Sequence, residues 1–219
     1  METRIGADWQ GSRAKIAALF GIAAVVFDLT QRGAWAFSVP RLGLGLALLV
    51  FFSTLTKGGR NSVGLTRQVQ PSVSFWPKWT LILGGLVLAG SLIVGAVLWM
   101  LGDSPSLQSQ FASQDQMLRN LWQACLWAPI EEELLYRVAL CAPLAALVGT
   151  RWTVLIGGLT FAALHWSYGN LGPNHVFAGF VMTWAYLRSG NIGVPILLHS
   201  LGNLAVWLLN VALFYWAQA

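Results

Sequence analysis

Three consecutive glutamates, Glu131, Glu132 and Glu133, interrupt an otherwise apolar stretch, and Arg137 follows four residues after the last of them. At helical spacing Glu133 and Arg137 share a face and can pair. Glu132 is turned by about 100° from Glu133, given about 3.6 residues per turn, so the two carboxylates cannot do one job. One can hold the arginine while the other faces a cavity. His165 ends an apolar run four residues after Phe161, and His199 stands four residues before Asn203 in another. The same spacing sets Phe161 beside His165, and His199 beside Asn203. A charge at mid-membrane costs roughly 2.5–3.5 kcal/mol on insertion scales, so ionisable residues in apolar helices face the bundle interior and mark a site. The plain alternatives are a buried ion network that fixes packing, and core histidines that simply find a partner. Three such clusters on separate apolar runs favour a site. His175, after Pro173 and Asn174, reads as a turn or interfacial residue.

A carboxylate and an imidazole can deprotonate a water held between them. A second imidazole and a side-chain amide can donate hydrogen bonds to a developing oxyanion. This is equipment for amide hydrolysis without a covalent nucleophile. No serine or cysteine stands in a recognisable nucleophile elbow. Cys125 and Cys141 have no signalled base, are too few for a disulfide framework, and read as buried small hydrophobes. The same residues could instead bind zinc, since two His and one Glu form a catalytic zinc set. The His-Glu-x-x-His helix motif is absent, however.

The elements that must carry these residues are long apolar runs. Of 219 residues 56% are apolar and 10% charged, where soluble domains carry about 25% charged. Mean hydropathy is +0.63. This excludes disorder, coiled coil, collagen and nearly any soluble enzyme, and the runs are too continuous for a membrane β-barrel. The expected fold is all-α, a polytopic transmembrane bundle of seven to eight spans. At about 20 residues per span, the runs are 14–30, 42–55 (extending back toward Trp35), 79–101, 121–148, 152–166, 175–187 and 195–216. Pro129 predicts a helix start or kink that would split the Glu-bearing run. The stretch 102–120, with Asp103, Pro105 and Asp115, reads as a loop or a surface helix. The whole chain, 1–219, is expected to form one membrane domain, with spans and loops over 1–120 and the catalytic core over 121–203. No cleavable signal peptide is convincing.

Nine of the 13 cations precede Trp79. They read as loop and headgroup charges and not as a nucleic-acid patch. Arg4, Arg13 and Lys15 in the tail, and Lys57, Arg60, Arg67 and Lys78 in the second loop, place both on the cytoplasmic side of a multi-pass cell-membrane protein. Arg32 and Arg41 in the first loop fit less well. The twelve Trp, among them Trp122, Trp127, Trp152, Trp166 and Trp184, read as interface belts and helix packing, with a cavity for a lipidated or apolar peptide as the alternative.

The clusters resemble the CAAX protease and bacteriocin-processing family, also called CPBP or Abi. Its Glu-Glu-x-x-x-Arg pattern stands at Glu132-Glu133-Leu134-Leu135-Tyr136-Arg137, its Phe-x-x-x-His at Phe161–His165, and its His-x-x-x-Asn at His199–Asn203. Gly190 to Ile196 is similar to the family's lead-in to the last histidine. The likeness covers Leu121 to Asn203. Val138 departs from it, where many members have Gly. The resemblance implies an intramembrane endopeptidase in which Glu132 and His165 activate the water, and His199 and Asn203 form the oxyanion hole. Glu133, Arg137 and Phe161 would order the site. It implies no cofactor, with zinc as the alternative, and a peptide or protein substrate, possibly lipidated, met within membrane lipid. Two other readings compete: a catalytically silent immunity or scaffold member of the same family, and a transporter whose Glu and His relay protons. The sequence sets neither the substrate nor the oligomeric state.

Overall fold

The computed structural model describes residues 4–32, 34, 36–102, 109–169 and 172–218. Asp103 and Pro105, read above as loop residues, lie outside them. Among the described residues the chain is helical, with no strand.

Helix α1 spans Gly11–Thr30 and α2 Val39–Leu55. Ser38 caps α2, its hydroxyl accepting from Arg41 N, and Pro40 sits in the first turn, where a missing N–H costs nothing. A short 3₁₀ turn, Gly59–Val63, leads toward α3, Phe75–Met100. The stretch expected as a loop or surface helix contains α4, Gln114–Trp122, which Ser113 caps and which carries Asp115 in its first turn and Arg119 in its last. A π-helical turn, Gln123–Trp127, then α5, Ala128–Glu133, then a longer π-helical segment, Leu134–Cys141, complete the Glu-bearing run. Pro129 lies in the first turn of α5, as expected. Helix α6, Ala142–Ser167, breaks at Gly149, whose φ of 77° and ψ of 169° only glycine adopts without strain. This break separates the two runs expected on either side of it. Helices α7, Pro173–Ser189, and α8, Gly193–Trp216, are joined at Gly190, which is left-handed. Among the described residues two helical runs, Gln114–Ser167 and Gly193–Trp216, are long and apolar enough to cross a membrane, fewer than the seven to eight spans expected.

The packing inverts the soluble pattern. On α1 the small residues Ala14, Ala17, Ala18 and Gly21 face inward, while Leu19, Phe20, Val26 and Phe27 are exposed. Small residues let helix backbones approach where lipid supplies no hydrophobic drive between helices. A Cβ on Gly21 would collide with the Ala139 carbonyl, and one on Gly45 would press on Leu134. Gly157 and Gly158 of α6 play the same part against Thr183 and Phe180 of α7. Both cysteines are buried and free, Cys141 donating to the Tyr136 carbonyl. Trp122, Trp152 and Trp166 point outward, whereas Trp184 packs on Trp76 and Trp79.

Candidate active site

The three glutamates stand where α5 passes into the π-helical segment, and the surroundings treat each differently. Glu131 is fully buried. Its Oε2 accepts from Arg41 Nη1 at 3.0 Å and from Phe37 N at 2.9 Å, and its Oε1 accepts from Trp127 Nε1 at 2.7 Å. Glu133 is also fully buried. Its Oε2 lies 2.9 Å from Arg137 Nε, and its Oε1 3.0 Å from His199 Nδ1. The expected Glu133–Arg137 pair is thus formed. The contact is a close ionic one without hydrogen-bond alignment, and the guanidinium is completed by the Phe161 ring, 4.8 Å from Cζ.

Glu132, between them, has only long contacts. Its Oε1 lies 3.9 Å from Arg41 Nη1 and its Oε2 3.8 Å from His199 Nε2. Oε2 has no hydrogen-bond partner among the described residues. Two neighbours with close partners at 3.0 Å or less and one with none is the arrangement expected if the middle carboxylate does the chemistry.

Phe161 gathers the other motifs. Its ring centroid is 4.6 Å from that of His165, 5.8 Å from that of His199 and 5.9 Å from that of Tyr136. His165 Nδ1 lies 3.1 Å from the Phe161 carbonyl. A carbonyl only accepts, so Nδ1 carries the hydrogen and a neutral His165 has its lone pair on Nε2. By the same logic His199 donates from Nδ1 to Glu133, and its Nε2 faces Glu132. Among the described residues no hydrogen bond or ion pair joins His165 to Glu132. Asn203 lies one turn beyond His199, and its Nδ2 donates to the Ala124 carbonyl at 2.6 Å, across to the first π-helical turn. Among the described residues no three His, Cys, Asp or Glu side chains group as a metal set.

Two parts of the site escaped the sequence reading. His175 is no mere turn residue. Its ring stacks on that of His165 at 4.1 Å and 17°, and its Nδ1 accepts from Gly172 N at 3.0 Å. Its remaining nitrogen, Nε2, therefore carries the hydrogen when the ring is neutral. Nor is Arg41 a loop cation. It is fully buried, with Nε 2.9 Å from Asp28 Oδ1 and Nη2 3.0 Å from Asp28 Oδ2, a two-pronged grip. The Tyr136 hydroxyl adds a third bond to Asp28, 2.8 Å to Oδ2.

The geometry draws together the order of motifs that suggested a family. Residues 114–205 match the Rce1-like family, described as type II CAAX prenyl endopeptidase. Over this stretch the chain is similar to that family. The Rce1-like region contains Glu132, Glu133, Arg137, Phe161, His165, His175, His199 and Asn203, and it agrees with the resemblance drawn from those motifs. Asp28 and Arg41 lie outside it. Neither the curated proteins nor the solved structures yield a match to the chain.

Proposed function

We propose that this protein is a multi-pass intramembrane endopeptidase of the CAAX type, which cuts a peptide bond near the terminus of a membrane-associated or lipidated protein. The observation that carries the reading is the contrast among the three glutamates. Glu131 is hydrogen-bonded through both oxygens, Glu133 is hydrogen-bonded to His199 and ion-paired with Arg137, and Glu132 alone has no close partner among the described residues, its Oε2 facing His199 Nε2 at 3.8 Å. In this reading Glu132 and the Nε2 of His165 hold the water. A proton passes from water to Glu132, and the hydroxide oxygen bonds to the scissile carbonyl carbon. Protonated His199, through Nε2, and the second amide hydrogen of Asn203 donate to the oxyanion. The C–N bond then breaks, and the proton held on Glu132 moves to the leaving amine. Glu133, paired with Arg137, holds His199 by Nδ1 and so aims Nε2.

The test compares cells of the native host carrying wild type with cells carrying Glu132→Gln at equal abundance. The expected result is that the variant inserts and folds like wild type, and that a few membrane or lipidated proteins keep C-termini that wild type removes. Identical termini in both strains, with both proteins well expressed, would overturn the reading.

A further inference from the structure

Asp28 and Arg41 belong to the amino-terminal helices, outside the Rce1-like region, yet they reach its central carboxylate. The charged and titratable groups gathered around Glu132 from the packed elements include Asp28 of α1, Arg41 of α2, His165 and Tyr168 at the end of α6, His175 of α7 and His199 of α8. Of these, Arg41 alone carries a permanent positive charge. Its fork is fixed before it meets the glutamates, because Asp28 takes Nε and Nη2 and leaves Nη1 to point at Glu131 and Glu132.

We propose that Arg41, clamped by Asp28, is a positioning residue of the site: it holds Glu132 by Oε1 while His199 faces Oε2, so that α1 and α2 complete the catalytic unit. This rests on the peptidase reading. Stability alone accounts poorly for the arrangement. Burying an arginine with its acids returns little net stability compared with apolar residues of the same volume. The small-residue contacts of α1 and α2 already dock those helices. What an apolar set could not do is place a fixed positive charge 3.9 Å from one oxygen of the open carboxylate.

The experiment has two arms on the full-length protein in detergent. In the first, dicyclohexylcarbodiimide, which couples to uncharged carboxyl groups in apolar surroundings, labels the protein, and peptide mass spectrometry reads the adduct at Glu132. Removing the guanidinium favours the uncharged acid, so Arg41→Gln is expected to raise the Glu132 adduct by about 3-fold or more. Arg41→Lys is expected to return it toward wild type. Because Arg41→Gln strands Asp28 and Glu131, the triple variant Asp28→Asn, Arg41→Gln, Glu131→Gln is run beside it. It orphans no charge within the clamp and should melt near wild type; because two negative charges leave with the guanidinium, it is read by kcat in the second arm, where it should fall as Arg41→Gln does. An unchanged adduct in a folded Arg41→Gln variant, or an unchanged kcat in the triple variant, would overturn the proposal.

The second arm measures cleavage of an internally quenched peptide ending in a farnesylated CAAX sequence. Arg41→Gln should lower kcat at unchanged KM, with Arg41→Lys restoring it; unchanged kcat in a folded Arg41→Gln overturns the positioning role. If wild type and Glu132→Gln do not differ on this peptide or in the host termini, the peptidase reading falls, while the carbodiimide arm still decides whether Arg41 governs Glu132.

Discussion

Glu133 is held from two sides, by Arg137 at 2.9 Å and by His199 at 3.0 Å, and is wholly buried. Glu133→Ala would strand the Arg137 guanidinium, whose other nitrogens make no hydrogen bond among the described residues. Breaking one side of a buried pair costs roughly 3–5 kcal/mol. The expected outcome is a clearly lower thermal midpoint in detergent, together with lost cleavage because His199 loses its anchor. A midpoint equal to wild type would refute the pairing. This pair was legible in the sequence because a four-residue spacing is a local contact. The Phe161–His165 contact was legible for the same reason. The partner of Arg41 was not, since Asp28 lies thirteen residues upstream on another helix, and a loop position is the natural reading for an arginine before an apolar run. His175 was missed because its stacking on His165 depends on how the chain folds back between α6 and α7, which no spacing encodes.

The apolar runs located the helices, because a helix in lipid must satisfy its own backbone and so declares itself by length. Pro129 stands where the first π-helical turn passes into α5 without a break, and the interruption of α6 falls at Gly149, in the gap between two expected runs. The π-helical segments left no such mark. They matter because the wider turn sets the register of Tyr136, Arg137 and Cys141 against α1 and α6, and such turns recur at functional sites. Gly21 is where α1 meets that segment, and any Cβ there meets the Ala139 backbone, which cannot swing aside as a side chain can. Overpacking typically costs about 1–3 kcal/mol. Gly21→Val should therefore lower the thermal midpoint and cut activity by displacing Asp28, one and a half to two turns along the same helix. Gly43→Val, on α2 with open space around it, is the control and should melt like wild type. Equal midpoints for the two variants would show that α1 does not dock through Gly21.

At the scale of the molecule, hydrogen bonds sort the connecting segments into two ends. Arg13 at the start of α1 reaches the Leu55 carbonyl at the end of α2, Asp8 accepts from Ser62, and Lys57 N donates to the Asp8 carbonyl. Gln70 N bonds to the Ser189 carbonyl, Asn191 to the Thr66 carbonyl, and Ile192 N to the Gly64 carbonyl. The tail, the second loop and the α7–α8 turn thus share one end. Ser109 and Gln110 bond to Asn210, and Gln114 to Tyr215, at the far end of α8. The first end carries Arg13, Lys15, Lys57, Arg60, Arg67, Lys78 and Arg188, and the second carries Arg32 and Arg119. With Arg41 withdrawn into the interior, the cation that fitted the first loop poorly no longer counts there. The cation excess predicts that the first end faces the cytoplasm. Exposed single cysteines test this on intact cells with a membrane-impermeant maleimide, the native Cys125 and Cys141 being buried. Ala34→Cys and Ala112→Cys should label at once, and Ser72→Cys only after permeabilisation. The reverse pattern would invert the orientation. Labelling of all three from one side would overturn the alternation of spans itself, and with it the placing of Glu132, His165 and His199 inside a bundle that crosses the membrane.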